Sequence, residues 1–135
     1  YEDLVEARRV LEIEIAERAA VRAQPEQIEG LKAAIDLMDQ RMDNANDFSR
    51  ADQAFHVMLA QATQNKLFLI LMESIAELLH ESRKLSFSVP GSTARGQGYH
   101  RALLEAVRNR DPLAARKAMQ EHLEQVDRDI HAIES

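Results

Sequence analysis

Residues 48–59 read Phe48-Ser49-Arg50-Ala51-Asp52-Gln53-Ala54-Phe55-His56-Val57-Met58-Leu59. Phe48, Asp52, Phe55 and Leu59 recur at intervals of four, three and four, the rhythm of one helix face, so a carboxylate interrupts an otherwise apolar stripe. His56 follows Asp52 by one helical turn, and side chains four apart share a face. The segment therefore predicts a helix that is buried on one side and carries two metal-ligand types toward the interior.

The rest of the chain repeats the helical rhythm. A first helix is expected from about Glu2 to Ala23, with Leu4, Leu11 and Ile15 in register and Val10, Ile13 and Ala20 widening the apolar side. Pro25 suits the first position of a second helix ending near Asp43, with Ile28, Leu31, Ile35, Met38 and Met42 as its stripe. A polar turn spans Asn44 to Asp47, and Asp47 or Ser49 is expected to cap the third helix, which ends near Gln64. Asn65 caps a fourth helix carrying Leu67, Leu71, Ile75, Leu78 and Leu85. Ser86 to Gly98 holds Pro90, Gly91, Gly96 and Gly98 and reads as a loop. A fifth helix carries Leu103, Leu104 and Val107. Asp111-Pro112 opens a sixth, cap before first-turn proline.

Composition agrees. The 135 residues suffice for one domain with a core, and 45% hydrophobic with 30% charged residues places it among globular chains. Only 4 Gly and 3 Pro leave little material for the turns of an all-β fold. With no Cys there is neither a disulfide framework nor a thiolate metal site, and a reducing compartment is allowed. No apolar run approaches membrane-spanning length. A net charge of −6, from 23 acidic and 17 basic side chains, argues against nucleic-acid binding by these residues themselves. The expectation is an all-α antiparallel bundle of about six helices, forming a single domain over 1–135. Because the chain opens on Tyr1, it reads as a processed product or a fragment.

His100 lines up with Leu104 and Val107. His122 lies within Ala115, Met119, Val126, Ile130 and Ile133. The two histidines stand equally far from Asp111, on either side, and in a helix hairpin such residues reach similar heights. Taken singly, each is explained as a core histidine with a hydrogen-bond partner, and Asp52 as a first-turn acid favoured by the helix dipole. Taken together, Asp52, His56, His100 and His122 are a plausible ligand set for one divalent metal. His80, beside Glu73, Glu77 and Lys84, and His131, beside Asp127 and Arg128, are expected in solvent. Arg8 shares the Leu4, Leu11 and Ile15 stripe. It is either a salt bridge to Glu12 one turn on or an inward clamp for a carboxylate. Arg9 is a weaker candidate for the same clamp.

Three segments resemble the C-terminal effector-binding (FCD) domain of FadR-like regulators in the GntR family. They are Glu6-Ala7-Arg8-Arg9-Val10-Leu11-Glu12 with Ala19-Ala20, Asp52-Gln53-Ala54-Phe55-His56 with Asn65, and Tyr99 to Val107 followed by Asp111, Ala115, Met119 and His122-Leu123. The resemblance implies a helical bundle around a central metal and ligand cavity. It implies a metal held by Asp52, His56, His100 and His122, most often zinc, with nickel or manganese as alternatives. Arg8 would face a small carboxylate effector. It further implies a cytoplasmic homodimer, not an enzyme, that reaches operator DNA only through an N-terminal winged helix-turn-helix domain outside these residues. Tyr99 departs from the pattern, which often has an acidic residue there. The competing readings are a metal-dependent hydrolase, a metal-free acyl or lipid sensor, and a structural bundle with merely packed histidines.

Overall fold

The computed structural model describes residues 2–134, and these form seven α-helices. They are α1 (Glu2–Arg22), α2 (Pro25–Gln40), α3 (Ala45–Gln61), α4 (Lys66–Leu78), α5 (His80–Phe87), α6 (Ser92–Arg108) and α7 (Pro112–Glu134). Helix α1 lies along α7, α7 along α6 and α2 along α3, while α3 also touches α1, α4 and α5. That central placement of α3 explains why its stripe is so apolar: Phe55 and Leu59 are fully buried, against a core that includes Ile15, Met72, Leu103 and Met119. Each such side chain contributes roughly 1.5–3 kcal/mol of transfer free energy.

Several ends follow their sequence signals. Pro25 opens α2, Asn65 Oδ1 accepts from the Leu67 amide at 3.0 Å, and Asp111 Oδ1 accepts from the Ala114 amide at 3.0 Å before Pro112. Others differ. Helix α2 stops at Gln40, because residues 41–43 turn to let Asn44 cap α3. Asn44 Oδ1 accepts from the Asp47 amide, so neither Asp47 nor Ser49 is the cap, and Ser49 is buried.

The largest differences lie between residues 66 and 98. The expected fourth helix breaks at Leu79, giving α4 and α5 and hence seven helices rather than about six. The buried residues there are Met72, Ala76, Leu79 and Arg83, spaced four, three and four. The richer apolar stripe faces out instead: Leu67 is 57% exposed and Leu78 68%. The expected loop shrinks to residues 88–91, because Ser92–Gly98 joins α6. Gly91 supplies the turn with a left-handed backbone (φ +79°), a conformation that L side chains rarely adopt. Gly96 is helical, and a methyl there would sit 3.6 Å from His122 Cε1. This short α5–α6 turn places the start of α6 beside the end of α5, where both border the site.

Candidate metal and effector site

Three helices bring the predicted ligands together. Asp52 and His56 come from α3, His100 from α6 and His122 from α7, and each histidine is at least 98% buried. One ring nitrogen from each imidazole lies within 4.8 Å of the other two. The His100 and His122 rings are 4.7 Å apart, as their equal distance from the hairpin turn predicts. Asp52 Oδ1 stands 3.2 Å from Nε2 of both His56 and His100.

The outer nitrogen of every ring is already engaged. His56 Nδ1 meets Glu12 Oε1; a carboxylate only accepts, so Nδ1 carries the proton. His100 Nδ1 lies 2.7 Å from Gln97 Oε1, and the Gln97 amide nitrogen donates to the Ile35 carbonyl and to Asp39. His122 Nδ1 lies 3.2 Å from Gln125 Oε1, whose amide nitrogen donates to Asp129 and Ser92. Both glutamines therefore offer oxygen to the ring, and both rings donate from Nδ1. Arg101 anchors Asp39 and Arg95 anchors Asp129, so each chain of hydrogen bonds ends in an ion pair near the surface.

This arrangement turns three Nε2 atoms inward. None of them has a hydrogen-bond partner, nor does Asp52 Oδ1, and all four atoms are buried. Leaving buried acceptors unsatisfied costs about 1–3 kcal/mol each. Three imidazole nitrogens form a metal-sized group that does not itself include Asp52, which lies beside two of them. Such a donor set could hold a divalent cation, and imidazoles oriented from behind through Nδ1 are the usual support of such a site.

The electrostatics follow from burial and proximity. Burial pushes His100 below the usual histidine value, and His122 well below it with help from the neighbouring His100 and His56. Burial works against the Asp52 carboxylate, but His100 and His56 outweigh it and hold Asp52 well below its ordinary range. His56 goes up, since Glu12 and Asp52 overcome the burial that would lower it. Glu12 is lowered despite burial by His56 and Arg8.

Arg8 is buried and its Nε donates to Glu12, which is the salt bridge weighed for it from sequence. It does not line the cavity next to the ligands. Arg9 pairs at the surface with Asp127. His80 is half-buried, and His131 is exposed with Nδ1 on the Asp127 carbonyl; neither joins the cluster. Four polar residues of the site were not singled out as site members from sequence: Glu12, Arg83, Gln97 and Gln125. For the glutamines a signal existed, since each lies one turn from a candidate histidine and fourteen residues from Asp111.

A cavity of about 30 Å³ opens beside the cluster, with Asp52, Arg83, Ser92, Thr93, His100 and His122 among its walls. That volume holds a water-sized group or two. Arg83 is 6% exposed, and its Nε stands 3.5 Å from Asp52 Oδ2.

Residues 3–125 match the FCD domain family. Over 127 residues the chain is 31% identical to the HTH-type transcriptional repressor NanR of Escherichia coli strain K12, a match covering 93% of this chain and 48% of that protein. It is also 31% identical, over 131 residues, to the Uxu operon regulator of Haemophilus influenzae, covering 92% of this chain and 48% of the relative. A solved structure of Streptococcus agalactiae GntR superposes with a TM-score of 0.80 at 29% identity, covering 93% of this chain and 57% of that one. A bundle of seven helices with this match over most of its length defines the class: the chain belongs to the FCD domain family, the effector-sensing domain of GntR-type transcription regulators. It spans about half the length of the curated relatives it matches.

Proposed function

We propose that this domain is a metal-containing sensor of a small carboxylate, and that it adjusts operator binding by an N-terminal winged helix-turn-helix domain outside these residues. One observation carries the reading: three Nε2 atoms and Asp52 Oδ1 converge without hydrogen bonds while every Nδ1 is tied from behind. Asp52, His56, His100 and His122 would hold the ion, zinc by preference, with nickel or manganese fitting the same oxygen and nitrogen donors. Such an ion would supply a Lewis-acid face for a carboxylate oxygen.

The chain's own residues do the rest. Glu12, Gln97 and Gln125 fix the ring tautomers and orientations. Burial of the ligand side chains lowers the local dielectric, which strengthens the charge interactions among them. Arg8 steadies Glu12, and through it His56; its direct clamping of a carboxylate would require it to leave Glu12. An effector shifts the regulator only as far as it prefers one conformation, and the α5–α6 junction bordering the cavity is where such a preference would be read.

The hydrolase reading lacks a base. Glu12 is buried but engaged by Arg8 and His56, Glu105 is exposed and Glu121 half-buried. Among the described residues no helix is long and apolar enough to cross a membrane. Elemental analysis of protein purified without an affinity tag tests the proposal. One zinc per chain is expected, lost in the double variant His100→Ala, His122→Ala. Stoichiometry unchanged in that variant overturns it.

A further inference from the structure

Arg83 is the residue in this fold whose chemistry is least used. Its side chain is 3% exposed, yet Nε, Nη1 and Nη2 all lack hydrogen-bond partners. A buried guanidinium whose one ion pair, to Asp52 at 3.5 Å, leaves its N–H groups without hydrogen bonds is costly, and a ligand that completes them would relieve that cost. Arg83 lines the cavity, on the inward face of α5 that continues Met72 and Ala76 of α4 and Leu79 at the break between the two helices. Opposite α5 stands the first turn of α6, with Ser92 and Thr93 in the same wall. The Ser92 amide already donates to the Val89 carbonyl at 3.0 Å, so this helix start contributes chiefly its positive dipole end and the wall that Ser92 and Thr93 form.

Charge favours an anion at this place. With the imidazoles neutral, Arg8 and Arg83 balance Glu12 and Asp52. A divalent ion at the histidine cluster then leaves the buried group two positive charges in excess. A planar guanidinium presents paired N–H groups that match the two oxygens of a carboxylate. Asp52 Oδ2, at 3.5 Å from Nε, occupies one edge of the fork and leaves Nη1 and Nη2 to an incoming ligand.

We propose that Arg83, with the start of α6 at Ser92 and Thr93, is the clamp for the effector's carboxylate. The assignment rests on the metal-and-carboxylate reading above and extends it to a residue that the sequence motifs do not mark. The ligand class is a small organic acid with one carboxylate on Arg83 and another oxygen free to meet the ion. At about 30 Å³ the cavity must widen for it, and the α5–α6 turn is the short connection that allows this.

The test uses the full chain loaded with cobalt(II), whose visible absorption reports on its ligands. Succinate, acetate and inorganic phosphate are titrated, with cobalt content and melting temperature measured alongside. The expected result is that succinate binds the parent and that Arg83→Gln keeps one cobalt per chain but binds succinate about tenfold or more weakly. Arg83→Lys recovers part of the loss, since an ammonium lacks the two-point fork. Without succinate, cobalt-loaded Arg83→Gln melts no lower than the parent, because the ion compensates the Asp52 carboxylate and the substitution removes three donors that lack hydrogen bonds; a structural arginine would behave oppositely. Succinate affinity within about twofold of the parent in Arg83→Gln overturns the assignment, as does phosphate binding more tightly than succinate. If Arg83→Gln does not fold, unchanged succinate affinity in Arg83→Lys overturns it equally. A parent that takes up no cobalt defeats the metal reading alone. Arg83 is then judged on the metal-free protein, where an Arg83-dependent succinate shift in melting temperature upholds the clamp and no shift removes it.

Discussion

Each imidazole in the cluster is set by a residue on its far side, and at this scale the glutamines matter as much as the histidines. Gln97 presents oxygen to His100 only because its amide nitrogen is occupied by the Ile35 carbonyl and Asp39. Replacing it frees the ring to rotate or to change tautomer. Gln97→Leu is expected to weaken zinc binding about 10–100-fold, the usual effect of losing a group behind a metal-bound histidine. Competition with a zinc-sensitive dye measures it, and an unchanged affinity would show that the ring is held by packing against Phe55 alone, whose centroid is 4.8 Å away.

Helix α4 shows how an element can point its most hydrophobic side outward. Leu71 and Ile75 join Val10 and Leu11 of α1 in a shallow apolar groove, with Leu67, Ile70 and Leu78 exposed along α4. Exposed apolar groups on adjoining helices mark a surface that another protein covers, and a second copy of this chain is the partner proposed here. Two-fold pairing suits a regulator of paired DNA half-sites. If the chain pairs through this groove, Leu71→Glu should leave only monomer in sedimentation velocity with zinc content unchanged, since Leu71 is 47% exposed and is not among the proposed ligands. A dimer that survives this charge would place the interface elsewhere.

For the whole molecule, the proposed metal would act as a folding ligand. Bound only to the native state, it would raise stability by about 2.7 kcal/mol at a hundredfold excess over its dissociation constant. Acid reverses this with a sign that can be worked out. His100 and His122 sit below the ordinary histidine value of 6.5 when folded, so the unfolded chain binds protons first. Their contribution is therefore present above pH 6.5 and is lost as pH falls below it, at up to about 1.4 kcal/mol per proton per pH unit. His56 acts in the opposite sense, because its folded value is raised: its contribution is present at low pH and lost as pH rises through that value. His122, held well below the ordinary value, and His100 act together against His56, so the metal-free protein should melt lower at about pH 5.5 than at about pH 7, and zinc-loaded protein should fall further as the ion leaves. His122→Leu without metal should flatten the slope. A parent whose melting temperature rises on acidification would contradict the burial of His100 and His122 as neutral rings.

The chain by itself determined the helical class, because apolar residues at intervals of three and four recur in nearly every segment and few residues break them. It placed Asp52 beside His56 and His100 level with His122, since a four-residue interval and a hairpin turn at Asp111 are local facts, but that α3 packs against the α6–α7 hairpin and joins the two pairs only the tertiary structure decided. What lies between residues 66 and 98 only the tertiary structure decided. There the strongest apolar stripe, Leu67 to Leu78, competes with the weaker one through Met72, Ala76 and Leu79, and the bundle buries the weaker. Burial depends on which face meets α3, not on which is more hydrophobic. With that rotation Arg83 turns from an ordinary charge on a helix into a guanidinium inside the cavity. Glu12, Gln97 and Gln125 likewise gain their roles only when α1, α6 and α7 are packed, because a hydrogen bond to a histidine is specified by distance between helices and not by the residue type alone.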